Sequence, residues 1–232
     1  AGNPNFGFFH IDLSRSSQVA LDIFGSNFSG NLVADDYAAY NAINAQNRQS
    51  CLAHLLRKSR EISDLISAFP KSQQHPHDLL FCDRIKTFLS QACGIGRRRD
   101  TGSLSFTAAK DRIPSLYRRL QSICKNTLHH PDAENLRQRL MDPNRDYHRL
   151  FTFLKINRMP PTNNYAEQIL RHPVIFRKII FGNRSELGAI ALEINLSVFN
   201  TIKCRSLNPI PLIKDLFLNG HRHLSKALFD DS

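Results

Sequence analysis

The sequence predicts an α/β protein in which two mixed flanks enclose a long all-helical insertion. Three observations predict it. Alternation and short apolar runs give the order strand, helix, strand over residues 6–34. From about Cys51 the apolar spacing changes to the three-and-four period of helices and holds it to about residue 158. After Pro160-Pro161 the mixed pattern returns. The predicted division is 1–60 and 159–205 as two halves of one core, 61–158 as the insertion, and 206–232 as a C-terminal helix and tail.

Each element has its own signal. "GFFHIDL" sets Phe9, Ile11 and Leu13 on one side and His10 and Asp12 on the other, as a half-buried strand does. Ser16 can cap a short helix through "SQVALDIF", and Gly25 ends it. Leu32-Val33-Ala34 is a brief apolar strand running into Asp35 and Asp36. Leu52, Leu55, Leu56, Ile62, Leu65, Ile66 and Phe69 make one helical stripe that stops at Pro70. A second helix is predicted over 79–92, and "GIGRRRDTGS" (94–103) reads as a flexible basic loop from its glycines and charge run. Further helices start near Pro114 and Pro131 and cover 146–155, prolines being tolerated at helix starts. Beyond the Pro-Pro turn, "TNNYAEQILR" starts a helix and "VIFRKIIF" is β-like. Ser185 opens a long amphipathic helix, and "NPIPLIKDLF" is a short closing one.

Composition narrows the class. With 41% apolar and 22% charged residues the chain is of the globular type. Thirty-one Lys+Arg against 20 Asp+Glu leave a net charge of +11. The excess is regional: residues 1–50 hold two basic and four acidic side chains, residues 51–150 eighteen and ten. A polyanion is the natural partner of such a surface. Five irregularly spaced cysteines argue against a disulfide framework and fit a reducing cytoplasm. No apolar run approaches the ~18 residues of a membrane span, so no membrane partner is expected.

Two acidic positions stand out, each with two readings. Asp35 follows an apolar strand, where a carboxylate is held at a sheet edge, the place where ligands of α/β proteins gather; it is equally a residue that closes a strand in a turn. Asp36 must point to the other face if the strand continues, so only one of the two can face a given site. Glu167 lies in a first helical turn among Arg171, Arg177 and Lys178. It can complete a capping box with Asn164 and pair with Arg171, or it can meet Asp35 to bind a hard divalent cation beside a phosphate. Cys51-x-x-His54, with His75, His77 and Cys82 beyond, lacks the second close ligand pair of a zinc site. Arg97-Arg98-Arg99 reads as a solvated loop, with phosphate contact as the alternative.

Three stretches, "LVADDYAAYNAI", "CLAHLLRK" and "PPTNNYAEQILRHPVIFRKIIFGNRSELGA", together resemble the DDE transposases of the insertion sequence 66 class. They match its Asp-Gly-Tyr-x-x-Tyr strand end, its Cys-x-x-His-x-x-Arg-Lys helix and its Asn-Asn-x-Ala-Glu block, in order and over nearly the whole chain. The resemblance implies an RNase H-like catalytic core, N-terminally incomplete, interrupted by the helical insertion. It makes Asp35 the second catalytic aspartate and Glu167 the catalytic glutamate, both ligands of Mg²⁺ or Mn²⁺, with two ions in the intact family site. It implies DNA as partner, contacted by Arg171, Arg177, Lys178 and Arg184, with Asn163 and Asn164 setting the glutamate helix. A homodimer in a transposition complex and a bacterial cytoplasmic location follow from the same likeness. Asp36 stands where the family has glycine, Leu52 where an aromatic is common, and Gln168 where arginine is usual. The family's first catalytic aspartate belongs to a strand preceding 6–13, and Asp12 sits in a stretch resembling a later part of the pattern. The expectation is therefore a C-terminal transposase fragment that is inactive or weakly active by itself. The alternative is a non-catalytic DNA-binding remnant that keeps the basic surface. A structure-specific nuclease on the same core is a third option.

Overall fold

The computed structural model describes residues 2–3, 5–14, 16–180 and 185–219. In chain order the first elements are β1 (Gly2–Asn3), β2 (Phe6–Gly7), α1 (Ser17–Phe24), β3 (Asn27–Ala34), β4 (Asn44–Ser50), α2 (Leu52–Ser67), α3 (Pro76–Asp100) and α4 (Phe106–Lys110). Then come α5 (Ile113–Ile123), α6 (Pro131–Met141), α7 (Thr152–Lys155), α8 (Asn164–Ile180), α9 (Glu186–Cys204) and α10 (Pro209–Asn219). The chain divides into two compact units, one of residues 16–163 and one of the described residues of 1–15 and 164–232.

In the 16–163 unit, β3 and β4 pair in parallel, with Leu32 opposite Arg48, Val33 opposite Gln49 and Ala34 opposite Ser50. Strand alternation then sorts the side chains. Leu32 and Ala34 are buried with Ala20 of α1 and Ile43, while Val33 packs on the opposite side against the helical core. β4, "NAQNRQS", has no apolar pattern, and its pairing is carried by polar groups. The Asn44 and Asn47 amides donate to Asn27 and Asn31 across the pair, at 3.0 and 2.9 Å. Fully buried Gln49 donates to the carbonyls of Ser50 and Leu150 and accepts the Phe153 N–H, which fastens β4 to α7. An irregularity between Phe28 and Asn31 falls at Gly30, where a Cβ would come within 2.5 Å of the Phe28 ring. Gly30 lets the ring lie over the backbone at that bulge.

The helical core joins α2 to α7. Leu52, Leu55, Ile62 and Ile66 of α2 meet Phe81, Ile85, Phe88 and Leu89 of α3, with Leu120, Leu140, Phe151, Phe153 and Leu154 closing round them. The predicted α2 stripe is narrower in fact, since Leu65 and Phe69 remain about half exposed. The expected loop at 94–103 is a correction: α3 continues through Asp100. Gly96 is there for packing, because a Cβ would stand 2.9 Å from the Phe153 ring. Arg99 is not solvated. Its side chain is 2% exposed, and the guanidinium donates to the carbonyls of Phe153, Ile156 (3.3 Å) and Met159 (3.0 Å) and pairs with Asp100. Buried Asp78 accepts the backbone N–H groups of His129 and His130 and so holds the start of α6 to α3.

In the other unit, the predicted strand at 6–13 is a correction of partner. Only Phe6–Gly7 pair in a sheet, with β1. The following extended segment is held by α9 side chains one helical turn apart. Gly7, Phe9 and Ile11 N–H groups donate to Thr201, Ser197 and Glu193, at 3.4, 3.0 and 3.0 Å. Gly7 permits the close approach, since a Cβ would meet that of Asn200 at 2.9 Å. The β-like reading of "VIFRKIIF" is also corrected: α8 runs to Ile180 with Pro173 inside it. The helix predicted from Ser185 is α9, and the Ser185 hydroxyl accepts the Gly188 N–H at its start. α9 has the length and composition of a membrane span, but by those two criteria alone.

Candidate functional site

Parallel strands bring their carboxyl ends to one edge, which is where α/β proteins hold ligands. Here that edge carries Asp35 after β3 and Cys51 after β4, joined by the Cys51 N–H donating to the Ala34 carbonyl at 2.8 Å. Because Cys51 immediately precedes α2, the first turn of that helix sits beside Asp35. His54 Nε2 lies 4.0 Å from Asp35 Oδ2. The Asp35 side chain is 35% exposed, and Oδ1 accepts the Tyr37 N–H in a tight turn, at 3.2 Å. Burial, and then the Asp35 charge, push the Tyr40 phenol above its ordinary pKa.

Asp36 is disposed quite differently. Its Oδ2 takes Arg139 Nη1 at 3.0 Å and Arg145 Nη2 at 2.9 Å. Arg139 also binds Asp146, which accepts the Ser50 hydroxyl at 2.6 Å. Two guanidiniums therefore neutralise Asp36 and tie the end of β3 to the helical core. The two adjacent aspartates are about equally exposed, at 35% and 40%, and differ in their partners: Asp36 is bound by two arginines and, among the described residues, Asp35 by none. The added charge at the family's glycine position thus has local countercharges.

Asn163 is half-buried, and its backbone N–H and side-chain carbonyl both engage the buried Cys51 thiol, at 3.4 and 2.9 Å. The Pro161 carbonyl accepts the Leu52 N–H at 3.0 Å, so the Pro-Pro turn is fixed to the start of α2. The helix that follows includes Asn164, which is exposed, and carries half-buried Glu167 in its first turn. Glu167, exposed Arg171 and exposed Lys178 belong to the second unit, and Arg177 shares their helix. Arg184 lies outside the described residues.

The structure thus brings Asp35 to His54 and Asn163 to Cys51. Sequence reasoning missed the contact of His54 with Asp35 and the Arg139–Asp36–Arg145 cluster. The first had a signal, since Cys51-x-x-His54 belongs to one of the matching stretches. The second had none, because the partners are about a hundred positions apart.

Neither a curated protein nor a solved structure matches the chain. The family model described as "Transposase IS66 family" matches residues 1–191. That span holds both strands of the parallel pair, the helical core and the helix of Glu167, and it covers most of the 232 residues; the chain belongs to the IS66 family of transposases.

Proposed function

We propose that this transposase chain acts on DNA phosphodiesters through an RNase H-like core in which Asp35 and Glu167 share a divalent cation. The observation that carries the reading is the unequal treatment of the two aspartates at the end of β3. Asp35 accepts one backbone N–H at a strand end and lies 4.0 Å from His54, while Asp36, no less exposed, is bound by two arginines. Hard carboxylate oxygens suit Mg²⁺ or Mn²⁺, and Asp35 and half-buried Glu167 offer them. When bound, such an ion supplies Lewis-acid activation of water and leaving-group stabilisation for phosphoryl transfer. The protein's own part is positioning: β3 fixes Asp35, and the Cys51–Asn163 and Leu52–Pro161 contacts fix the turn from which the Glu167 helix departs. Arg171, Arg177, Lys178 and Arg184 are assigned to the DNA backbone, with Asn163 and Asn164 at the base of their helix.

A Mg²⁺-dependent nicking assay on supercoiled DNA tests this. Asp35→Asn and Glu167→Gln should each lower the rate by more than ~100-fold, the loss typical of removing outer-shell support being already 10–100-fold. Asp36→Asn should keep the rate. Nicking that survives Asp35→Asn would end the assignment. The excess of basic groups favours a second reading, a DNA-binding remnant without chemistry; it requires salt-sensitive affinity and no Mg²⁺-dependent cleavage.

A further inference from the structure

Outside the carboxylate site, the 16–163 unit has a groove of about 1170 Å³ among α2, α3 and α5. Six cations line it, Arg60, Lys86, Arg97, Arg98, Arg112 and Arg119, and no acidic residue does. Among the described residues Arg60, Arg97, Arg98 and Arg112 make no ion pair, whereas Lys86 pairs with Asp83 at 2.9 Å. Arg119 is pre-set, hydrogen-bonded to Gln91 and with its guanidinium carbon 5.6 Å from the Phe88 ring centroid. Like charges gathered on one wall, four of them without an ion pair, raise the free energy of the folded state unless an anion is bound.

Helix α3 carries a second, independent sign. Gly94 lies inside it on the groove wall, where glycine costs stability relative to alanine. Packing does not demand it: an added Cβ would touch only Arg97 Nη2, at 3.8 Å, unlike the clash that excludes one at Gly96. The missing side chain keeps that wall low beside the Arg97 guanidinium. Lys86 to Arg98 spans twelve residues of continuous helix, about 18 Å at 1.5 Å per residue, or roughly half a turn of B-DNA at 3.4 Å per base step.

We infer that this groove cradles the phosphate backbone of duplex DNA, as a binding site separate from the residues assigned on the Glu167 helix. The inference rests on DNA being the partner, which membership of a transposase family implies, and not on the carboxylate pair.

The test is fluorescence anisotropy of a labelled 20-base-pair duplex with the whole 232-residue chain, in EDTA so that divalent-ion chemistry plays no part. Arg97→Gln/Arg98→Gln should raise the Kd at least tenfold and reduce the slope of log K against log salt by about 2, near 0.9 per lost phosphate contact. Gly94→Ala should weaken binding while the thermal midpoint holds or rises. Arg118→Gln/Lys125→Gln, an equal charge change at exposed positions off the groove, should shift Kd less than threefold. Equal weakening by the two double variants, or no weakening by the first, overturns the site. Tighter binding of the single strand than of the duplex, or displacement by polyglutamate as effective as by DNA, overturns the ligand.

Discussion

Replacing Arg99 by methionine should be the most damaging change in the arginine run, although nothing in the local sequence distinguishes it from its neighbours. The side chain is 2% exposed, and its guanidinium supplies donors to three carbonyls, those of Phe153, Ile156 and Met159. A hydrogen bond from a charged donor is worth ~1.5–3 kcal/mol net, and a buried carbonyl left unsatisfied costs ~1–3 kcal/mol. Phe153 and Met159 are buried, whereas Ile156 is partly open and can turn to water. Counting the two buried carbonyls and the stranded Asp100 contact gives a loss of about 3–5 kcal/mol, in the range for breaking a buried charged contact. That is a large share of the ~5–15 kcal/mol by which domains are stable. The segment these bonds hold leads to Pro161, whose carbonyl anchors the start of α2. Urea unfolding followed by circular dichroism measures the loss, and amide exchange at Leu52 should accelerate with it. Arg97→Met and Arg98→Met, at exposed positions, should stay within ~0.5 kcal/mol. A cost for Arg99→Met no greater than for Arg97→Met would refute the reasoning.

Two further predictions use the same core. Gly96→Ala should destabilise by ~1–3 kcal/mol through overpacking against Phe153, while Gly94→Ala should be neutral or stabilising by up to ~1 kcal/mol; paired thermal melts compare them. The Arg137 guanidinium, bonded to Glu134 at 2.6 and 2.7 Å, holds that carboxyl down to about 2. A depressed carboxyl stabilises the fold above its unfolded pKa, ~4.3, and loses that contribution as pH falls toward 2. Arg137→Met should therefore lower stability at pH 7 and flatten its fall between about pH 4.5 and 2, measured by urea titrations across that range; an unchanged slope would contradict the assignment.

The helices were readable where one apolar stripe faced one core, as in α2, α5 and α6, whereas α9 was readable from its spacing although Leu187, Ile190 and Ile194 are exposed. The errors share a cause, which is polar chemistry satisfied by distant partners. β4 is a strand without an apolar face because Asn44, Asn47 and Gln49 supply the pairing that side-chain packing otherwise gives. The basic run at 97–99 looked like a loop because its charge concealed that Arg99 is bound by carbonyls more than fifty residues on. Residues 7–11 alternate as a strand does, yet Thr201, Ser197 and Glu193 replace the partner strand. Asp35 was legible as a strand-end carboxylate, whereas the two arginines that bind Asp36 were not legible. Glu167 was legible as a first-turn acid, and the role proposed for it rests on the likeness of the "NNYAE" block rather than on spacing.

Mn²⁺ binding, followed by electron paramagnetic resonance, reaches the shared-ion assignment without depending on turnover. If one ion bridges the two carboxylates, Asp35→Asn and Glu167→Gln should each weaken it by more than ~100-fold, and the double variant should be scarcely worse than either single one. Independent, additive losses, or affinity unchanged by either substitution, would show that the two side chains do not hold a common ion.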